Sequence, residues 1–534
     1  RTFMIINALT IENFKSIHDP VRVEFKPITL LFGPNSTGKS TIVQVLHYTR
    51  AILEKNNADV DRVVSADESF DLGGFANIVH KHDLNLPIKL KFEISFPPLA
   101  DLSDFFTDKI TNAWTEFEIK WSNFLGAPLV MCTSVGLDGE FFARIICAED
   151  GKRARIKDIN FTHHLITRSE EEIYITEEKK VHPPLLFSIL FRFVKKTFLS
   201  SENIFDLYID QQTALPRNVQ LSTEMMDEEA LTEEDDDKKE RMGEDDDWLF
   251  KPSSWETLND FFHTYFGGLT AVLRDELRNF RYIGPLRKTP PRFFSPLRTE
   301  DEARWSSGLA AWDVLARADM ELIRDVNTWL AREDRLKCGY QIERKQYKEL
   351  DINHPLLSTD WLADLLDDEE NIRRELAQLP IKTRLFLRDT ENDIEVLPPD
   401  IGVGISQLMP VVVAGLYLRN GLVAIEQPEL HLHPALQVAI GDLFIEQAIK
   451  NDSVFLLETH SEHLLLRLLR RIRETSEDEL PPGIAGLTSE QLRVNFVEQT
   501  EEGLRIRLLQ VSRDGDSLGD WPKGFFEERS GELF

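Results

Sequence analysis

The sequence feature that most constrains the fold is the nine-residue stretch GPNSTGKST at residues 33–41. It follows the apolar run at residues 28–32 and precedes a second apolar run at residues 42–46. Strand, glycine-rich loop and helix in this order form the context in which the pattern G-x-x-x-x-G-K-[ST] binds phosphate. The backbone N–H groups of such a loop and the positive end of the following helix both face the anion. The stretch therefore predicts a phosphate-binding loop (P-loop).

The P-loop pattern also assigns expected roles to its side chains. Lys39 is expected to reach the β- and γ-phosphates of ATP, and the Ser40 hydroxyl to ligate Mg²⁺. A chance turn is the alternative, but the correctly placed strand and helix favour ATP and Mg²⁺ as cofactors. The candidate ATP contacts are all nine residues of the loop: Gly33, Pro34, Asn35, Ser36, Thr37, Gly38, Lys39, Ser40 and Thr41.

Length, charge and cysteine usage narrow the class of protein. A chain of 534 residues is too long for one core and predicts two to four domains. Its densest apolar run, residues 408–418, is too short to span a membrane, so no membrane partner is expected. Three widely spaced cysteines form neither a disulfide framework nor a metal-binding pattern, which predicts a cytoplasmic protein.

The net charge of −30 argues against a protein that coats nucleic acid with its whole surface. Part of this charge is local, because residues 224–247 carry 14 acidic and 3 basic side chains. This acidic stretch is expected to be a disordered or solvated loop. A local basic groove elsewhere in the chain is still compatible with the composition.

Hydrophobic periodicity divides the chain into three regions. Period-2 patterns predict strands at residues 5–14, 21–25, 88–96, 116–121, 129–135, 140–147 and 172–176, with hairpin turns at Asp138-Gly139 and Asp150-Gly151. Helical patterns dominate from 183 to 380, at residues 186–198, 255–280, 309–330 and 361–379, and strands and helices alternate again from 381. The prediction is an α/β nucleotide-binding domain in two parts, 1–182 and 381–534. It has a mixed sheet with an antiparallel β layer and is split by a mainly helical insertion at 183–380.

Two apolar strands in the last region end in chemically useful side chains. The strand at residues 421–425 is followed by Glu426-Gln427-Pro428-Glu429, and a carboxylate at a buried strand end can hold Mg²⁺ against Ser40. The strand at residues 454–457 is followed by Glu458-Thr459-His460-Ser461. His460, just past a strand end, suits a residue that senses the γ-phosphate.

A second phosphate-seeking helix start is predicted at residues 400–407, DIGVGISQ. Gly404 and Ser406 are expected to open an apolar helix whose N-terminus binds an anion, with Pro410 in its first turn. Two such helix starts are hard to satisfy with one nucleotide in one subunit. They predict that two copies sandwich ATP between the P-loop of one and the serine helix of the other.

These motifs together carry a family resemblance. The chain resembles ABC-type ATPases of the branch that includes SMC and OLD-family proteins, and more narrowly the prokaryotic AAA-family ATPases with a C-terminal DUF3696-type signature. The matching segments, in chain order, are IENFKSI, GPNSTGKST, FDLGGFANIVHKHD, RYIGPLR, GVGISQLMP, IEQPELHLHP, ETHSEHLLLRLLRRI and DWPKGFFEE.

The resemblance implies a fold and a set of partners. It implies an ABC-type ATPase head that forms a head-to-tail ATP-dependent homodimer, with Ser406 reaching the γ-phosphate across the interface and His460 as switch histidine. It also implies an ATPase component of anti-phage defence beside a separate effector, such as a nuclease or a toxin. An SMC-like DNA repair or chromosome-maintenance clamp is the alternative, although the sequence has no sustained heptad repeats that would favour it.

One residue departs from the family pattern. ABC-type ATPases usually place a glutamate after the strand-end acid, whereas this chain has Gln427, and an amide cannot accept a proton at neutral pH. Three interpretations are open. The glutamine is natural to the subfamily and Glu429 or His460 orients the attacking water, or hydrolysis is slow and ATP acts as a clamp, or the residue is an engineered substitution.

Two cationic stretches are candidates for contact with nucleic acid. The first places Arg281, Arg287, Lys288 and Arg292 near aromatic residues, as nucleic-acid grooves do. A structural loop that ties the insertion to the ATPase core is its alternative. The second stretch, at residues 467–473, is expected to be the solvated face of a helix.

Overall fold

The computed structural model describes most of the chain in two compact units. Unit 1 comprises Arg1–Phe280, Asn420–Leu422 and Arg493–Leu509, and unit 2 comprises Arg281–Arg419, Val423–Leu492 and Gln510–Phe534. The described residues are 5–34, 37–59, 72–96, 110–151, 154–160, 162–163, 207–209, 213–217, 219–220, 259–260, 262–297, 299, 301–354, 369–500 and 503–518.

The first sheet of unit 1 is antiparallel and has the strand order β2-β1-β4-β5-β6-β7-β8-β9. The first nine strands of the chain are β1 Ile5–Glu12, β2 Val21–Glu24, β3 Ile28–Phe32, β4 Ile88–Ser95, β5 Asn112–Ser122, β6 Ala127–Leu137, β7 Glu140–Cys147, β8 Ala154–Lys157 and β9 Leu207–Ile209. Strand β4 shows why the sheet forms, since alternate residues from Ile88 onward are buried on one face. The predicted antiparallel β layer is confirmed, down to the pairing of β1 with β2.

The predicted hairpin turns are also present. Asp138 and Gly139 have φ of 47° and 85°, as a two-residue hairpin loop requires, and they connect β6 to β7. Gly151, with φ of 66°, lies in the turn between β7 and β8. Strand β9 was not predicted, and it pairs with β8 from within the region expected to be mainly helical.

The other elements of unit 1 include the strand before the P-loop and the helix after it. Strand β3 lies beside β16 (Leu492–Thr500), and β16 pairs antiparallel with β17 (Gly503–Val511). Helix α1 (Lys39–Lys55) follows β3, the short helix α2 spans Phe75–Ile78, and α3 (Leu269–Arg278) follows a π-helical turn at His263–Gly268. All five residues of β3 are buried.

Unit 2 contains a parallel β core and a separate small sheet. Strand β10 (Arg281–Ile283) runs parallel to β14 (Leu422–Glu426), and β15 (Val454–Glu458) lies on the other side of β14. The small sheet is antiparallel and consists of β11 (Tyr340–Lys348), β12 (Ile381–Asp389) and β13 (Ile394–Val396). A last strand, β18 (Ser517–Leu518), pairs with the end of β17.

Six helices of unit 2 fall within the described residues. They are α4 Leu309–Arg317, α5 Met320–Ala331, α6 Glu369–Gln378, α7 Val403–Tyr417, α8 Pro434–Lys450 and α9 Glu462–Ser476. Helix α7 is almost completely buried, with α4, α5 and α8 packed on it, which explains its apolar residues on every side. Helix α8 connects β14 to β15, and α9 follows β15.

The sequence predictions agree with this architecture at the level of fold class. The α/β class is confirmed, with parallel pairing of β10 and β14 and antiparallel pairing of β16 and β17. The division at 183 and 381 stays a prediction, since the compact units change at other positions. The predicted strand at 172–176, the helix at 186–198, the acidic stretch at 224–247 and the DWPKGFFEE segment lie outside the described residues.

Candidate nucleotide-binding site

The P-loop leaves β3 through a backbone conformation that favours glycine. Gly33 has φ of 148° and Gly38, directly before α1, has φ of 91°. A Cβ atom on Gly33 would lie 2.1 Å from the carbonyl oxygen of Val497 in β16. One on Gly38 would lie 2.6 Å from Cδ1 of Leu504 in β17. Gly33 is therefore required by its packing against the backbone of β16, and Gly38 is favoured by its positive φ.

The side chains of the P-loop are held by the loop's own backbone. Lys39 is 3% exposed, and its Nζ donates hydrogen bonds to the carbonyl oxygens of Gly33 (3.0 Å) and Pro34 (2.8 Å). Thr37 Oγ1 donates to Pro34 O at 2.9 Å. Thr41 is buried, Ser40 is half-buried, and Asn35 and Ser36 lie outside the described residues. The loop thus has the glycine geometry, the inward cation and the helix start that ATP phosphates require.

Gly33→Ala should destabilise unit 1 and weaken ATP binding. The new methyl group must displace backbone, so we expect a loss of roughly 3–4 kcal/mol in the free energy of unfolding, combining left-handed strain and overpacking. Gly126→Ala is the matched control, because Gly126 also has positive φ (63°) but a Cβ there meets nothing within 4 Å. It should cost only about 1–2 kcal/mol. Urea unfolding of both variants measures the difference, and equal losses would show that the contact with Val497 does not matter.

The acid-bearing end of β14 is tied to the end of β15. Glu426 is the last residue of β14 and is half-buried, whereas the strand before it is buried. Gln427 has φ of 45°, and its N–H donates to the carbonyl oxygen of Glu458 at 2.7 Å. Its own carbonyl accepts from Leu430 N at 3.1 Å. The backbone around Glu426 and Gln427 is therefore fixed, and both side chains begin from defined positions.

Glu429 holds the segment that contains His460. One carboxylate oxygen of Glu429 accepts the Thr459 hydroxyl at 2.8 Å, and the other accepts the backbone N–H of His460 at 2.7 Å. Burial raises the pKa of Glu429, although these hydrogen bonds and the charge of Arg287 oppose the shift. Because both oxygens already accept hydrogen bonds, Glu429 is better suited to position His460 than to activate water.

His460 lies half-buried between the end of β15 and the start of α9. The next residue, Ser461, caps α9, with Oγ accepting from Leu464 N at 3.0 Å and donating to Gln437 Oε1 at 2.7 Å. The structure therefore brings Glu426, Gln427 and His460 to neighbouring strand ends of unit 2, connected through Glu429.

The position of Ser406 differs from the sequence prediction. Helix α7 begins at Val403 with Gly402 as its N-cap, so Ser406 is the fourth helical residue and only 2% exposed. Its hydroxyl donates to Val403 O at 2.9 Å. The prediction that Ser406 opens the helix is wrong, because the helix starts three residues earlier, whereas contact of Ser406 with a γ-phosphate stays a prediction. Pro410 accordingly lies inside the helix and not in its first turn.

Gly404 has a packing function that the sequence did not indicate. A Cβ atom at this position would lie 2.9 Å from the carbonyl oxygen of His431. His431 has φ of 62°, which turns its carbonyl within the LHLHP segment that leads into α8. Gly404 therefore allows α7 to approach that segment. The exposed residues at the start of α7 are Gly402 and Val403, and Val403 is 59% exposed.

The first cationic stretch is largely structural. Arg287 is 3% exposed, and its guanidinium donates to the carbonyl oxygens of Gln407, Glu426 and Gln427. Burial lowers its pKa to about 10. Arg292 forms an ion pair with Asp400. The prediction that Arg287 faces nucleic acid is wrong and its structural alternative holds, because the side chain is buried and both Nη1 and Nη2 donate to carbonyl groups inside unit 2. Arg281 is half-buried and Lys288 is exposed.

The second cationic stretch is also partly buried. Arg471 in α9 makes a bidentate ion pair with Asp442 in α8, at 2.7 and 2.9 Å, and Arg467 adds a contact of 3.1 Å to the same carboxylate. The prediction of a solvated face is therefore wrong for Arg471, which connects α8 to α9. Arg470 and Arg473 are exposed.

Within the described part of the chain, no group of three or more His, Cys, Asp or Glu side chains is placed to hold a metal ion. In the same residues, no helix has both the length and the apolar character needed to cross a membrane.

A buried strand that leads into a glycine loop and a lysine-initiated helix, together with a buried strand that ends in glutamate, defines the class of P-loop ATPases. The chain belongs to the AAA ATPase domain family, whose match covers residues 4–465. It is therefore an ATPase of the AAA type that binds nucleotide.

Comparisons with solved structures give distant similarities to SMC heads. The SMC head bound to the C-winged helix domain of ScpA has 10% identity and a TM-score of 0.38, covering 95% of this chain and 98% of that one. The SMC head domain from Thermotoga maritima has 8% identity and a TM-score of 0.35, with coverage of 95% and 99%. The Smc head with coiled coil and joint from Pyrococcus yayanosii has 10% identity and a TM-score of 0.36, covering 95% of this chain and 97% of that one. These values are too low to add to the assignment, and no curated protein matches the chain.

Proposed function

We propose that this ATPase is an ATP-dependent association switch. Two copies associate head to tail around Mg-ATP, hydrolyse it slowly, and act as sensor and scaffold for a separate effector protein in prokaryotic anti-phage defence. The observation that carries the association is the exposed start of α7 at Gly402 and Val403, on a helix that is otherwise buried. The defence assignment rests on the family resemblance of the motifs.

The start of α7 has the chemistry to meet a phosphate. The N–H groups of Ile405 and Ser406 both donate to Gly402 O, so the N–H groups of Val403 and Gly404 are the ones this helix offers to an anion. The helix dipole adds partial positive charge at the same end. In the proposed dimer these groups face the nucleotide bound at the partner's P-loop. The backbone N–H groups thereby replace the Ser406 hydroxyl as the phosphate contact.

The other residues of the proposed site have separate roles. Lys39 supplies a cation to the phosphates, and Ser40 and Glu426 are the proposed Mg²⁺ ligands. The ion, when bound, neutralises charge on the phosphate oxygens. Gln427 can orient a water through its amide but cannot take a proton from it. His460, held by Glu429, senses the γ-phosphate. Since the carboxylate oxygens of Glu429 are engaged, slow hydrolysis is the interpretation that the geometry supports best.

The first cationic stretch gives less support to the alternative function, an SMC-like DNA clamp, than the sequence suggested. Arg287 is buried and Arg292 is paired with Asp400, so at least these two of the four cations proposed to meet DNA have protein partners.

Val403→Glu should block ATP-dependent association while leaving ATP binding intact. Glutamate at the first position of a helix suits the dipole, so folding is expected to be unaffected. It would place a negative charge against the partner's triphosphate. Light scattering coupled to size exclusion should show a doubled mass for the wild type with Mg-ATP, and the monomer mass for Val403→Glu. Ile352→Glu is the matched control, because Ile352 is also an exposed aliphatic residue. The proposal would be contradicted if the mass of the wild type did not change when Mg-ATP was added. It would also be contradicted if the Val403→Glu variant still dimerised.

A further inference from the structure

We infer that Arg287 is a positioning residue that couples the start of α7 to the acid-bearing end of β14. A shift of α7 on association would thereby change the placement of Gln427 and Glu426. The inference rests on the proposed function in one respect, namely that α7 is the element that meets the partner. Its structural basis lies entirely within unit 2.

The first half of the coupling joins Arg287 to α7. The backbone N–H of Arg287 donates to Gln407 Oε1 at 3.0 Å, and Gln407 Nε2 donates back to Arg287 O at 2.6 Å. The guanidinium adds a bond from Nη1 to Gln407 O at 3.3 Å. Gln407 is only one residue after Ser406, in the second turn of α7. The loop and the helix start are therefore held together by three bonds through one residue.

The second half joins Arg287 to the end of β14. Nη2 donates to Glu426 O at 2.7 Å and to Gln427 O at 3.1 Å. Gln427 occupies a left-handed conformation that costs free energy for a non-glycine residue. Charge-assisted hydrogen bonds to the two carbonyl groups stabilise that conformation. The direction of the Gln427 side chain therefore depends on where the guanidinium lies.

The Arg287 loop is anchored on its other side. Gly284 N donates to Ser306 O at 2.9 Å, and Lys288 N donates to Ser307 O at 2.7 Å. A Cβ on the neighbouring Gly308 would lie 3.0 Å from Cβ of Arg287, so the Arg287 loop packs closely on this segment. With the loop held by these two backbone bonds, a shift of α7 would act on the end of β14 through the guanidinium.

Arginine is the side chain that this geometry requires. Its planar fork reaches three carbonyl groups on two elements at once, which the single ammonium of lysine cannot do. Its pKa of about 10 keeps the buried group cationic at neutral pH. Glu429 and Glu426 supply the nearby negative charge. Arg287→Lys therefore preserves the charge and removes the bridge.

The test compares Arg287→Lys with wild type in three measurements: ATP affinity, Mg-ATP-dependent mass, and turnover as a function of protein concentration. Arg287→Lys should lower turnover by about 10- to 100-fold, the range found when an outer-shell contact is lost. ATP affinity measured without Mg²⁺ should stay within about twofold, because Arg287 is not part of the P-loop and Glu426 is proposed to act only through the metal ion. Association with Mg-ATP should persist, but turnover should no longer rise with protein concentration.

Two further variants make the result decisive. Gln407→Met breaks the same bridge from the α7 side at similar volume, and it decides the question if Arg287→Lys does not fold. Arg332→Lys is the control, since Arg332 is exposed and pairs with Asp334. Wild-type turnover and concentration dependence in folded Arg287→Lys and Gln407→Met would overturn the coupling. If the variants lost ATP affinity and thermal stability together with turnover, Arg287 would have only a structural role. That result would also overturn the coupling.

Failure of the proposed function has a different signature. A wild type that binds ATP but never associates would contradict the switch. In that case the only test of Arg287 is the turnover of the Arg287→Lys and Gln407→Met variants, provided that their ATP affinity is unchanged. A drop of about tenfold or more in both variants would still support positioning of Gln427, and no drop would remove it.

Discussion

Replacing Lys39 by methionine is expected to abolish ATP binding and, with it, ATP-driven association. The Nζ atom is the cation of the P-loop, and it lies within the loop on the carbonyl oxygens of Gly33 and Pro34. Bonds from a charged donor to phosphate contribute roughly 1.5–3 kcal/mol each, so the loss of two predicts a fall in affinity of about 100-fold or more. Methionine keeps most of the aliphatic volume, which protects the fold.

The Lys39→Met experiment measures two quantities on the same sample. Calorimetric titration with Mg-ATP gives the affinity, and light scattering gives the mass. Lys55→Met is the matched control, because Lys55 lies in the last turn of the same helix. It should bind and associate as the wild type does. If Lys39→Met binds ATP normally, the loop is not the nucleotide site. If it fails to bind but still forms dimers, ATP is not what joins the copies.

The elements that the sequence predicted well are those determined by local pattern. The alternation in residues 88–96 predicted β4 because each buried side chain on one face is two residues from the next. The P-loop was recognisable because a buried strand, two glycines and a lysine stand at fixed offsets. Asp138-Gly139 specified its hairpin because both positions need positive φ.

The start of α7 could not be predicted from its pattern. The helix is buried on nearly every side, so its apolar residues have no phase that marks the first turn. Pro410 suggested a first turn, as proline usually does, yet it lies in the middle of the helix. The helix was therefore predicted to start at Ser406, three residues after its actual start at Val403.

The structural nature of Arg287 depends on contacts that are distant in sequence. Its partners Gln407 and Glu426 lie 120 and 139 residues further along the chain. Nothing in the local mixture of arginines and aromatic residues distinguishes a buried arginine from one in a nucleic-acid groove. The same limit applies to Gly404. A side chain is excluded at this position by the carbonyl oxygen of His431, which is distant in sequence.

Replacing Gln427 by glutamate is expected to raise ATP turnover by about 100-fold or more, since a positioned general base contributes 10²–10⁴ in rate. The change is nearly isosteric. The backbone of residue 427 is fixed by the bond to Glu458 O and by Arg287, so the new carboxylate should occupy the position of the amide. Phosphate release at saturating Mg-ATP measures the rate. Light scattering should show dimers that disappear as ATP is consumed.

The outcome for Gln427→Glu separates two of the three interpretations of this site, slow hydrolysis and activation of water by Glu429 or His460. If the native protein is a slow clamp, the glutamate supplies the missing proton acceptor and shortens the life of the dimer. If His460 or Glu429 already activates water, turnover should not rise, and Glu429→Gln should instead reduce it. Gln378→Glu, at an exposed position in α6, controls for the added charge. Unchanged turnover in Gln427→Glu, with normal ATP affinity, would exclude the slow clamp. A large rise would show that Gln427 sets the lifetime of the ATP-bound state.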